Sequence, residues 1–178
     1  MILTGHNDHT NEPSHHIPYL YALAGAPWKG QVRIRSIAAA DYNATANGLA
    51  GVWDPLLSSF FASHKIPQNE DCGQMSAWWL FSALGFYPVN PASTSYVVGS
   101  PFFEKVTIAF PGTRRRLVIR APGASTKPYV RSLTVNGKSV GTPVLRHEQI
   151  VGGGEMFFEM SATPQSWGSG DAMLHQEL

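Results

Sequence analysis

The spacing of apolar residues changes once along this chain, at about Ser95, from the helical period to the strand period of two. Upstream of that point, Ile17, Leu20 and Ala24 recur at intervals of three and four residues. A chain that places its helices before its strands folds as α+β or as two domains, because a doubly wound sheet needs strands and helices in alternation. We therefore predict an α+β fold, with helices in residues 1–94 and strands in 95–178.

Proline and glycine mark the ends of three predicted helices, at about 13–24, 27–42 and 72–84. Pro18 is expected to bend or restart the first helix because it lacks an N–H group, and Gly85 ends the third. The predicted strands are 105–110, 116–120, 132–135, 144–147 and 155–159. Asn136-Gly137 is a strong hairpin turn signal.

The charge content limits the classes of partner. Charged residues make up 14% of the sequence, below the ~25% of a typical soluble domain, so we expect much of the surface to face other protein. A net charge of +1 gives no reason to expect nucleic acid or an anionic membrane as a partner.

No run reaches the ~18 apolar residues of a membrane span, and the first residues lack the pattern of a signal peptide. The lone Cys72 is predicted to be a small packing residue.

Two groups of acidic residues stand at predicted helix starts, Asn11-Glu12 and Asn69-Glu70-Asp71. A helix N-terminus offers unpaired N–H groups and partial positive charge, which favour an ionised carboxylate. Such a carboxylate can act as a general base or bind a hard cation. Capping of the helices is the alternative, since Asn and Asp are ordinary capping residues.

The histidines allow a second kind of metal site. His6, His9 and Glu12 are three residues apart and line one face of a helix, as zinc ligands do, although the glycine and asparagines around them favour a loop equally. His15 and His16 are adjacent, so on a helix they point ~100° apart. We expect one of them to reach the site while the other packs.

Aromatic residues are frequent in the same half of the chain. Rings beside carboxylates suit a sugar pocket, but rings at helical spacing belong more often to the core, and we assign most of them there. They are Tyr19, Tyr21, Trp28, Trp78, Trp79, Phe86 and Tyr87.

Four segments resemble the C-terminal part of glycoside hydrolase family 92, the calcium-dependent, inverting exo-α-mannosidases. They are NEPSHHIPYLY at 11–21, GAPW at 25–28, NEDCGQMSAWW at 69–79 and FSALGFYP at 81–88. The resemblance implies the last helices of an (α/α)6 barrel in 1–94, followed by antiparallel strands of a sandwich-like domain in 95–178. The N-terminal β-sandwich and the other barrel helices of the parent protein are missing from this incomplete fold.

The resemblance also implies roles for individual residues. Glu12, with Asn11, would bind Ca²⁺, and Asp71 would be the general base that activates water. Asn69, which stands where some relatives carry a second Asp, would be the second catalytic residue.

The substrate implied by the resemblance is a mannose-containing glycan, with α-1,2-linked mannose of N-glycans or mannans as the expected linkage. His15, His16 and Glu70 would contact this glycan.

The general acid of the family lies in a motif of the type Glu-Gly-(x)-Ala-Trp, which this sequence lacks. We therefore expect the chain to be inactive alone. The alternative is a non-catalytic carbohydrate-binding or interaction module built on residues 95–178, and a gene-model artefact is a third possibility. A full-length parent is expected to be secreted.

Residues 52–68 separate Gly48-Leu-Ala-Gly51 from Asn69-Glu-Asp71, which are continuous in the family. Their 17 codons keep the reading frame, and Val52 and Gln68 permit the sequences of a splice donor and acceptor. We predict an in-frame retained intron. A natural loop is the alternative, because loop closure costs little per added residue, but apolar residues such as Trp53 and Phe60 suit a solvated loop poorly.

Excision of 52–68 from a full-length parent is expected to raise its activity or its soluble yield. The reason is that displacing Asp71 by about 1 Å can lower a rate roughly 100-fold. Parallel assays of the parent with and without the segment test this, and equal activity and solubility would contradict it.

Overall fold

The computed structural model describes residue 9, residues 11–42 and residues 71–170. The predicted insert at 52–68, together with Asn69 and Glu70, lies outside the described residues.

The predicted helices form, with shorter bounds. A 3₁₀ turn, Glu12–Ser14, precedes α1 (Ile17–Leu23) and α2 (Pro27–Asp41), and a second 3₁₀ turn, Asp71–Gly73, precedes α3 (Gln74–Leu84). Pro18 lies in the first turn of α1, where its missing N–H costs no bond, so the helix restarts there as predicted. None of these described helices is long and apolar enough to cross a membrane.

The start of α3 differs from the prediction at Cys72. Cys72 has φ 57° and ψ 31°, and Gly73 has φ 94°, so both lie in the left-handed region. The α-helix therefore begins only at Gln74. Cys72 is exposed, and its prediction as a packing residue is wrong, because it lies in a left-handed turn ahead of α3 and not on the face of the helix that packs.

The strands form two sheets, which confirms the α+β prediction. Their bounds are β1 (Phe86–Tyr87), β2 (Ser95–Val98), β3 (Lys105–Ala109), β4 (Arg116–Arg120), β5 (Tyr129–Val135), β6 (Lys138–Val140), β7 (Val144–Arg146) and β8 (Gly154–Ser161), with a short helix α4 (His147–Ile150) before β8. The sheet orders are β1-β2-β7 and β3-β4-β8-β5-β6. The described helices do not close a barrel.

Two details of the strand pairing stand out. Asn136 and Gly137, at φ 50° and 76°, form the predicted turn between β5 and β6. The large sheet is mixed, because β8 lies between β4 and β5 and runs parallel to β4. The expectation of antiparallel strands therefore holds for every described pair except this one.

Two hydrophobic cores meet where the helices pack on the strands. The helical core includes Tyr19, Ile34 and Trp78, and the strand core includes Ile119 and Phe158. The division into two domains after residue 94 stays a prediction. Strand β1, before that point, pairs with β2, after it.

Two polar residues of α2 hold this helix against the strand-rich part. Arg35 Nε donates to Ser100 Oγ at 2.7 Å, and its Nη2 donates to Ala124 O at 2.7 Å and also to Pro101 O. Gln31 Oε1 accepts the Val130 N–H at 3.1 Å. Burial lowers the pKa of the Arg35 guanidinium to about 10, so it stays charged at neutral pH.

Gly30 lies at a close contact between α2 and α1. A Cβ at Gly30 would lie 2.7 Å from Pro18 O, and backbone cannot yield as a side chain does. We expect Gly30→Ala to lower the free energy of unfolding by about 1–3 kcal/mol, although alanine normally improves a helix interior by roughly 0.5–1 kcal/mol. Urea unfolding followed by circular dichroism measures this.

Gly141→Ala is the matched control, because a Cβ there meets nothing within 4 Å. A Gly30→Ala protein as stable as the parent would show that the helices are not in contact at this point.

Candidate functional site

Trp78 lies at the centre of a buried group of side chains from three separate segments. Its indole Nε1–H donates to His15 O at 3.0 Å. The Tyr42 ring stacks on it at 5.3 Å between centroids, and the His9 ring contacts it edge-on at 4.2 Å. The indole thus joins the segment before α1, the end of α2 and the first turns of α3.

Both ring nitrogens of His15 are engaged. Nε2 lies 3.2 Å from His9 O, which can only accept, so Nε2 carries the proton. Nδ1 lies 3.0 Å from Gln74 Nε2 and accepts from that amide. The other N–H of the same amide donates to Tyr87 OH at 3.0 Å. This pattern fits one form of His15, the neutral Nε2–H tautomer.

Burial of His15 favours the same neutral form. The side chain is 1% exposed. Burial lowers the pKa of His15, although the bond to His9 and the charge of Glu12 act in the opposite direction. His16, by contrast, is half-buried. Of the two adjacent histidines, His15 is therefore the one that packs.

Glu12 and Asn11 are both exposed, at the 3₁₀ turn that precedes α1. Asn11 stands at the capping position but makes no side-chain cap hydrogen bond, so capping does not explain it. Carboxylate and amide oxygens are donors that calcium accepts, and in that respect the pair fits the ion. Two side chains are fewer than the six to eight ligands of Ca²⁺. The described residues contain no group of three or more His, Cys, Asp or Glu able to hold a metal.

His9 does not face Glu12 as the zinc hypothesis requires. Its ring is buried against Trp78, and its Nε2 lies 3.0 Å from Tyr42 OH. His6, the third member of that hypothesis, lies outside the described residues.

The turn that carries Asp71 is joined to the turn that carries Glu12. Asp71 opens the 3₁₀ turn directly before Gln74, and Gln74 contacts His15. The His15 backbone N–H in turn donates to Glu12 O at 3.0 Å. Asn69 and Glu70 lie outside the described residues, and the roles of all the predicted site residues stay predictions.

Sequence reasoning did not single out Gln74. The sequence feature that could have indicated Gln74 is its position four residues before Trp78, which places both side chains on one face of α3. Most of the aromatic residues are core, as predicted: Tyr19, Trp78, Phe86 and Tyr87 are buried. Tyr21 is 43% exposed, and the rings of Trp28 and Trp79 are half-buried.

Comparisons with known proteins agree with this architecture. The sequence matches the family model described as the glycosyl hydrolase family 92 catalytic domain, over residues 1–63 and 56–162. These two matches overlap over residues 56–63, inside the predicted insert, whose nature stays a prediction. The chain is 29% identical over 163 residues to an uncharacterized secreted glycosidase of Arthroderma benhamiae, and it covers 19% of that protein.

Two solved structures of Bacteroides thetaiotaomicron proteins are also similar. One is the family GH92 α-mannosidase BT3965 in complex with mannoimidazole, with TM-score 0.75 and 36% identity over 90% of this chain and 19% of that one. The other is the GH92 inverting mannosidase BT2199, with TM-score 0.74 and 34% identity over 92% and 20%. This chain therefore spans about a fifth of the length of the relatives it matches.

The depressed pKa of His15 predicts a pH-dependent stability. As pH falls below its ordinary value of 6.5, the unfolded chain binds a proton at His15 before the folded chain does. Stability is then present above this pH and lost below it, by at most about 1.4 kcal/mol per pH unit. We expect His15→Gln to reduce the difference between urea unfolding at pH 7.5 and pH 5.

His147→Gln is the control, since His147 is exposed and its ring bonds Tyr96, which is outside the buried group. An unchanged pH difference in His15→Gln would mean that another group causes it.

Proposed function

Because this chain belongs to glycosyl hydrolase family 92, we propose that it is part of an inverting α-mannosidase and supplies its general base and part of a calcium site. The observation that supports this is the contact between Gln74 and His15, which joins the turn of Asp71 to the turn of Glu12. We propose a mannose-containing glycan as substrate, α-1,2-linked in N-glycans or mannans. A relative bound to mannoimidazole supports that substrate class.

We assign the proton-accepting step to Asp71. In an inverting reaction, one carboxylate takes a proton from water while an acid on the other side of the bond protonates the leaving oxygen. The space between the two carboxyl groups, roughly 6.5–9.5 Å, admits that water. The acid would come from another part of the parent protein, since this sequence has no Glu-Gly-(x)-Ala-Trp motif. Alone, the chain would bind sugar but not cleave it.

The neighbouring polar residues would orient the sugar. We assign contact with its hydroxyl groups to Glu70 and His16, and we assign Asn69 to the catalytic pair with Asp71. His15 has both ring nitrogens engaged within the chain, so we assign it a role in holding the site rather than in direct contact with sugar.

Glu12 and Asn11 would hold part of the calcium coordination shell, with the remaining oxygens from the parent protein and the sugar. When bound, calcium would hold sugar hydroxyls and help to distort the ring. Export of the parent is proposed as well, which the secreted relative supports.

Calcium titration of the 178-residue chain tests the metal assignment. We expect Glu12→Ala to weaken calcium binding at least about tenfold, because it removes the charged ligand of the described pair. Isothermal calorimetry with and without mannose measures this.

Glu148→Ala is the matched control, since Glu148 is also an exposed glutamate in the first turn of a short helix. Equal calcium affinity in Glu12→Ala and the parent chain, or no binding by the parent chain, would refute the assignment of Glu12.

The strand-rich part supports a second candidate, a non-catalytic carbohydrate-binding surface. Phe157 is 37% exposed on the outer face of the large sheet, beside the ion pair of Arg131 and Glu159 at 3.2 Å. These side chains and Lys127 line a groove of about 440 Å³. An aromatic ring beside polar groups is a surface on which a sugar ring can stack.

Loss of calcium-independent mannan binding in Phe157→Ala would favour this candidate, and unchanged binding would exclude it.

A further inference from the structure

We infer that Gln74 is a positioning residue, whose amide sets the spacing between the turn of Glu12 and the turn of Asp71 through the ring of His15. This inference rests on the proposed function, because it gives those two turns a shared site. Gln74 itself touches neither the proposed metal nor the reacting atoms.

We call the chain of contacts from Gln74 through His15 to Glu12 the bridge, and few residues separate it from either turn. Gln74 follows the Asp71–Gly73 turn directly, and His15 follows the Glu12–Ser14 turn directly. The bond from His15 N–H to Glu12 O connects His15 to the first turn. The 3.0 Å contact between Gln74 Nε2 and His15 Nδ1 connects it to the second. A shift of either turn is therefore passed to the other with few rotatable bonds between them.

The hydrogen-bond donors and acceptors available at His15 determine which side chain can occupy position 74. His9 O accepts the Nε2 proton of His15, so Nδ1 has no proton and requires a donor. An amide with two N–H groups supplies one to Nδ1 and the other to Tyr87 OH. A glutamate at the same position has no proton to give, and a methionine of similar length has neither donor nor acceptor of that strength.

A residue that only contributes to stability would behave differently. Tyr19 provides the comparison, since its hydroxyl bonds Ser82 Oγ at 2.7 Å in the same core and does not join the two turns. Tyr19→Phe removes this buried hydrogen bond but keeps the ring that stacks on Tyr87. A purely structural role for Gln74 predicts the same pattern of effects in Gln74→Met and Tyr19→Phe.

The test uses nuclear magnetic resonance of the 178-residue chain and its Gln74→Met, Gln74→Glu and Tyr19→Phe variants. In the parent chain we expect a protonated Nε2 and an unprotonated Nδ1 at His15. Gln74→Glu should place a proton on Nδ1, and Gln74→Met should remove the hydrogen-bond shift of Nδ1. The amide signals of both Glu12 and Asp71 should move in Gln74→Met and stay in place in Tyr19→Phe.

Calcium affinity gives the second measurement. We expect Gln74→Met to weaken calcium binding about tenfold, as the loss of a residue behind a metal ligand does, and Tyr19→Phe to leave it unchanged. If the parent chain binds no calcium, the metal part of the proposed function fails and the amide signals alone decide the bridge. The inference is overturned if the amide signals of Glu12 and Asp71 do not move together in Gln74→Met. If the methionine variant does not fold, the same criterion applies to Gln74→Glu.

Discussion

The hydrogen bonds of His15 hold together two segments that are far apart in the sequence, the one before α1 and the first turns of α3. One nitrogen donates to His9 O and the other accepts from Gln74, while the backbone carbonyl of the same residue accepts from Trp78. Buried polar groups must be paired, because an unpaired one costs roughly 1–3 kcal/mol. The arrangement around this imidazole is therefore narrowly defined, and the proposed site on the two adjoining turns depends on it.

The contact between helices and strands rests on polar groups as much as on the two cores. Arg35 reaches Ser100 and two carbonyl oxygens, and Gln31 accepts from the backbone of β5. A guanidinium matched by carbonyl oxygens has fixed geometry, since its N–H groups lie in one plane. Hydrophobic packing between the same elements would tolerate sliding. These bonds fix α2 in one register on the strands, and Tyr42 at its end is thereby fixed against Trp78.

The sequence predicts those parts of the fold that depend on neighbouring residues. Gly85 as a helix end and Asn136-Gly137 as a hairpin turn were correct because their backbone preferences are local. The parallel pairing of β4 with β8 depends on contacts between distant segments and was missed. The strand β1 was missed because its two residues are too few to show a strand period. Cys72 was mispredicted because a left-handed conformation at a non-glycine residue is rare and depends on its surroundings. For the proposed site, the sequence pointed to the carboxylates, whose roles stay predictions, but not to Gln74, because only the folded chain shows which residues it contacts.

Tyr87 gives the small three-stranded sheet a direct connection to the site. It lies in β1, stacks on Tyr19 at 5.1 Å and receives the second N–H of Gln74. Because β1 has only two residues, its separation from β2 requires few broken bonds. Such a local opening would release the amide from one of its two acceptors while most of the molecule remained folded. The edge strand of the small sheet thus contacts the start of α3 through the Tyr87 hydroxyl, so a displacement of this strand would reach the proposed site through a single hydrogen bond.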